Sequence, residues 1–234
     1  MGSFVTIGFV VVCVIAGVYG IVSGIREGKK ELKARTVDDM IKKAAREAAE
    51  DICDSTIYPY VVPAGYLQDI GPMPDGCIRP LGHGIYSVLA SDLGGMVRIF
   101  NARDIQELNK TPDEIYQLAI ANLERVARDR EVDIKVVPKG PQDKPFILFT
   151  DHWTAATCIL LPKLRAMATQ TLGTGEFCIS IPHRDVMLVF AKGDKAYRDE
   201  MMAMIREKET PDAQKPLTWD LFEFRDGNIC EFTE

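Results

Sequence analysis

The chain has 234 residues and carries 28 Lys and Arg against 34 Asp and Glu, a formal charge of −6. Once the uncharged first 25 residues and the +3 of residues 26–35 are set aside, residues 36–234 hold −9, a balance that lacks the basic stripe of nucleic-acid binders. An apolar share of 47% is ordinary for a globular fold, and about 200 residues are enough to bury one good core.

From Phe4 to Ile25 the chain is an unbroken apolar run, followed at once by Arg26, Lys29, Lys30, Lys33 and Arg35. As a helix the run spans about 33 Å, against a hydrocarbon core of about 30 Å. Residues 1–25 therefore read as a single transmembrane anchor that meets the membrane through residues 4–25. A secretory signal wants a basic start and an apolar stretch of about 7–15 residues. The small residues from Ala16 to Gly20 keep the alternative open, export with a cleaved signal. The basic cluster after the run sets the orientation, with the C-terminal domain in the cytoplasm. Ala16, Gly20 and Gly24 share one helix face, whose small side chains let two copies pack as a homodimer.

Residues 26–54 read as a juxtamembrane amphipathic helix. Thr36 and Asp39 form a capping-box-like start, and Val37, Met40, Ile41, Ala44, Ala48 and Ile52 recur at helical spacing. Residues 55–83 hold Pro59, Pro63, Pro72, Pro74 and Pro80 and several glycines, the composition of a connector. Tyr58, Tyr60 and Tyr66 are expected to order it by packing on the domain that follows.

The domain proper is placed at residues 84–234. Residues 85–91 and 96–100 predict a hairpin. Thr111, Pro112, Asp113 and Glu114 mark a helix start, with Thr as N-cap and Pro at the first helical position, and the helix runs to about Arg130. Strands follow at 132–138 and 146–150, then a mixed segment from Thr154 to Leu172 that is predicted helical despite Pro162. Two apolar strands flank a tight turn at His183–Arg184, Asp194 opens a helix through Glu207, and residues 221–232 close as a hairpin with an Asp-Gly turn. Strand pairs alternating with helices predict an α+β fold, a mainly antiparallel sheet with helices packed on one face, preceded by the N-terminal transmembrane helix.

The order of segments carries a resemblance. VLASDLGGMVRIFN, TPDEIYQLAIANLERV, CILLPKLRAMATQTLG, CISIPHRDVMLVFA and PLTWDLFEF are similar to the succession in the YtpQ-like family of bacterial proteins, a domain of unknown function. Asn122 with Leu123, and Pro182 with Arg184 and Asp185, are its most specific points. Cys158 and His183 stand where that family tends to show serine. The resemblance implies the α+β fold and a bacterial source, and no established activity.

Cysteines occur at positions 13, 53, 77, 158, 178 and 230, with no CxxC pair, which reads as scattered reduced thiols of a cytosolic face. His83, His152 and His183 lack the i, i+4 or HxH spacing that places two ligands together, so no metal site and no cofactor are expected. His183–Arg184–Asp185 spells a kinase catalytic-loop tripeptide, but the downstream Asn and the Gly-rich loop are missing. The candidates for a binding surface are His183, Arg184 and Asp185 with Asp151 and His152, facing a protein partner or a ligand. Trp153 and Trp219 read as interface anchors or as core. The competing reading is a membrane-tethered hydrolase in which Cys158 and His183 form a thiolate–imidazole pair.

Overall fold

The computed structural model describes residues 54–92, 97–209, 217–225 and 227–233. The expected anchor, the small-residue face at Ala16, Gly20 and Gly24, and the juxtamembrane helix up to residue 53 lie outside the described residues. No described helix is long and apolar enough to cross a membrane.

Strand β1 (Ile57–Pro63), helix α1 (Ala64–Ile70), and strands β2 (Arg79–Gly82), β3 (Ile85–Asp92) and β4 (Val97–Ile99) build the first sheet. β3 is its spine. β1 pairs antiparallel along its whole length, from Ile57 opposite Ser91 to Pro63 opposite Ile85. β2 and β4 share the other side of β3, one at each end. The residues expected as a connector therefore supply two strands and a helix of the domain. The prolines misled because β1 is an edge strand, where a missing backbone N–H removes no ladder bond. Tyr58 and Tyr60 are buried as expected, whereas Tyr66 stays half exposed.

Two helices with capping boxes follow. Asn101 accepts from the backbone of Arg103 and Asp104 at the start of α2 (Ala102–Glu107), and the Asp104 carboxylate accepts from the Asn101 N–H at 2.8 Å. Thr111 and Glu114 make the same reciprocal bonds at α3 (Pro112–Arg128), each such cap contributing about 1 kcal/mol. α3 buries Ile115, Ala119, Leu123 and Val126, the stripe its sequence predicts, and lays Ile115 and Ala119 against Ile57 and Leu89 of the first sheet.

The second sheet is built from β5 (Asp133–Val137), β6 (Phe146–Thr150), β7 (Phe177–His183), β8 (Val186–Ala191), β9 (Leu221–Arg225) and β10 (Asn228–Glu231). It is six-stranded and antiparallel, in the order β10-β9-β7-β8-β6-β5. Between β6 and β7 the chain forms a 3-10 turn at Ala156–Leu160 and helix α4 (Leu164–Leu172). Pro162 breaks the continuous helix expected there, since it cannot donate within a helix. Helix α5 (Lys195–Lys208) follows β8, with Asp194 as N-cap accepting from the Tyr197 N–H at 2.9 Å. Gly193 precedes it at φ 53°, where an added Cβ would lie 2.5 Å from the buried Tyr197 ring.

One predicted feature is corrected. Helices cover both faces of the second sheet, not one. Phe177, Ile179, Ile181, Met187 and Val189 pack on the Leu164 and Ala168 side, while Cys178, Leu188 and Phe190 pack under Tyr197, Met201 and Ile205 of α5. Successive side chains of a strand point to opposite faces, so runs such as FCISI and VMLVF are apolar throughout because both faces are covered. Each fully buried Ile, Leu or Phe in these layers contributes about 1.5–3 kcal/mol relative to exposure. Tyr58, Val61 and Ile85 of the first sheet share one core with Phe149, Ile179 and Met187 of the second. His83, in the β2–β3 turn, adds a clasp by donating its N–H to Glu231 of β10 at 2.5 Å.

Candidate functional site

β6 ends at Thr150, and Asp151 turns the chain in the left-handed region at φ 64°, a conformation short polar side chains tolerate. That turn delivers His152 and Trp153 to the junction of the two sheets. The Trp153 ring meets Tyr58 edge-on at 5.5 Å and Tyr60 at 5.7 Å, both from β1, and stacks on His152 at 5.6 Å. Opposite lies the β7–β8 turn. The Arg184 carbonyl accepts from Ala156 N–H at 3.0 Å, which fixes the turn against the 3-10 segment, and its guanidinium lies beside the Tyr60 hydroxyl, a contact that raises its pKa.

A cleft of about 710 Å³ opens here, walled by Tyr60, Tyr66, Asp69, Asp92, Trp153 and Arg184. Its size falls within the roughly 300–1,000 Å³ of small-molecule and cofactor sites. A second hollow of about 390 Å³ adjoins it through His152, Trp153 and Arg184 and continues to Asp151 and Asp185. Four of the five predicted binding residues, Asp151, His152, Arg184 and Asp185, thus converge on one place.

His183 does not join them. The β7–β8 register shifts between Ser180 and His183, a bulge that re-aims the side chain. The ring is buried, with Nε2 3.5 Å from Glu209, its centroid 6.2 Å from Trp219, and Nδ1 without a hydrogen-bond partner among the described residues. Cys158 is fully buried in the 3-10 turn, and burial pushes its thiol up to about 12. A nucleophilic cysteine needs an accessible thiolate, the opposite environment. Neither ring nitrogen of His183 is bonded to that thiol, so the hydrolase pair expected from the sequence is not assembled.

His152 has a defined tautomer. The Thr154 backbone N–H, which can only donate, points at Nδ1 from 3.2 Å, and the Thr154 hydroxyl lies 2.7 Å from the same atom. Nδ1 is therefore the acceptor, and the proton of the neutral ring sits on Nε2, 4.0 Å from Glu131. Burial lowers the His152 pKa, only partly offset by Glu131 and Asp92, so the ring is neutral at pH 7. Among the described residues, no group of three His, Cys, Asp or Glu side chains converges as a metal site would require.

Sequence reasoning missed Asp69 and Asp92, and read Tyr60 and Tyr66 only as packing. The alternating tyrosines of β1 were a signal, but their meaning depends on a strand that the prolines concealed. No family model, no curated protein and no solved structure matches this chain. The site is therefore read from its own geometry.

Proposed function

We propose that the domain is a binding module that captures a ligand or protein partner in the cleft between Tyr66, Trp153 and Arg184, and that it performs no chemistry of its own. The observation that carries this reading is the convergence of aromatic faces, carboxylates and one guanidinium from both sheets on a single open cleft. The groups lining it hold and orient; an activated nucleophile is not among them, and the one cysteine considered for that role is buried. In the same reading the chain is a YtpQ-like bacterial protein, and residues 4–25 keep the domain at the cytoplasmic face of a membrane.

The test is affinity capture from cells of the full-length protein, its Arg184→Ala variant and a version lacking residues 1–25. A binding role predicts a specific species that Arg184→Ala loses well before its melting temperature falls, and that the anchored form retains better. A variant that melts early yet captures normally would make Arg184 a turn residue and overturn the assignment of the cleft.

A further inference from the structure

We propose that the cleft takes lysine or arginine side chains of a basic peptide segment, an inference that rests on the binding reading above. The charge of the walls points this way. Asp69 and Asp92 line the larger hollow and Asp151 and Asp185 the smaller, while Arg184 is the one Lys or Arg among the described residues of either lining. That guanidinium lies beside the Tyr60 hydroxyl and Asp185, where it holds the wall of the cleft in place; Asp185 offsets its charge, so Asp69 and Asp151 carry the charge that faces a ligand. His152 adds none, being held as the neutral tautomer by Thr154.

The walls are also aromatic. Among the described residues two large apolar side chains are exposed, and one of them, Tyr66 at 50%, stands in the lining of this cleft. With Trp153 it offers ring faces to which an ammonium or guanidinium is drawn, while the carboxylates supply charge-assisted hydrogen bonds. A polypeptide fits better than a single small cation for two reasons. The two hollows share His152, Trp153 and Arg184 and carry carboxylates on both sides of them, which suits cations spaced along one chain. β4, whose Val97 and Ile99 line the larger hollow, pairs with β3 alone among the described strands, leaving an edge that an extended segment can join.

The experiment is a fluorescence titration of full-length protein in neutral detergent, with Trp219→Phe so that Trp153 is the reporter. The probes are acetyl-GKGKGKG-amide and acetyl-GEGEGEG-amide. The proposal predicts a saturable change with the lysine peptide, weakened about three- to tenfold by Asp69→Asn and by Tyr66→Ala and unchanged by Asp199→Asn on α5. Tyr66 and Asp69 are both exposed, so these variants fold, and a thermal melt checks it. Equal weakening by Asp199→Asn would mean diffuse attraction and overturn the proposal. Saturation by the glutamate peptide, lost in Arg184→Ala, would overturn it while leaving the binding reading in place. If neither peptide saturates, the proposal also falls; the cellular capture by wild type against Arg184→Ala then decides whether the binding reading falls with it.

Discussion

The guanidinium of Arg184, in the turn between β7 and β8, lies beside the hydroxyl of Tyr60 on β1, so this pair links the two sheets where the cleft opens. Both ends are otherwise anchored, Tyr60 by its contact with Trp153 and Arg184 by its carbonyl on Ala156. Because the guanidinium is partly solvated, the contact contributes about 1 kcal/mol, below the 1.5–3 of a buried charged pair. Tyr60→Phe and Arg184→Ala should each destabilise by about 1 kcal/mol, and the double variant by less than their sum. Urea unfolding of the four proteins measures the coupling. Strict additivity would show that the two side chains do not interact in solution.

Asn122 ties α3 to the start of the first sheet. From the buried face of α3 its amide donates to the carbonyls of Asp54 at 2.6 Å and Ile57 at 2.8 Å, holding the entry to β1. Asn122→Ala strips both carbonyls of a donor and should cost about 2–3 kcal/mol, read as a lower urea midpoint at unchanged slope. Asn122→Asp should be worse, since a carboxylate would face two acceptors. A loss below about 0.5 kcal/mol for the alanine variant would mean that β1 holds its place without this tether.

Cys158 should behave as a small core residue. With its thiol pushed up to about 12 and no exposed surface, it should resist maleimide at pH 8 in the native state and react only on unfolding. Cys230, partly exposed, should react first among the described cysteines. Native modification of Cys158 at the rate of a free thiol would restore the hydrolase reading.

His152 should make stability sensitive to acid. Its folded pKa lies below the ordinary 6.5, chiefly through burial, so the unfolded chain binds the proton first as pH falls. The contribution is fully present above pH 6.5 and is lost as pH drops through the folded value. Urea unfolding of wild type and His152→Gln at pH 7.5, 6.5 and 5.5 isolates it: the difference between them should shift against wild type on acidification. A difference that is flat, or that moves in favour of wild type, would mean that the ring is not held neutral.

Much of this architecture was legible before any coordinates. The cap at Thr111, the N-cap at Asp194, the strands around Ile147 and Ile179 and the turn after Arg225 are local signals, and local signals survive in the fold. β1 was hidden because Pro59 and Pro63 read as breakers when partners are unknown, and only its place at a sheet edge makes them harmless. The two-sided helix cover was written in the unalternating apolar strands, yet adjacent hairpins argued for a half-covered sheet. At the site, Arg184 and Asp185 could be found from their turn, but which histidine stands beside them depended on a bulge that displaces His183 and on a left-handed Asp151 that brings His152 in.

The claim that this cleft is the binding surface is tested most directly by photocrosslinking in cells, with benzoylphenylalanine replacing Tyr66 at the cleft or Val136 on β5, the two exposed large apolar positions among the described residues. The account predicts a discrete adduct from position 66, abolished by Arg184→Ala, and none from position 136. An adduct from position 136 with none from position 66 would move the binding surface to the edge of the second sheet and contradict it.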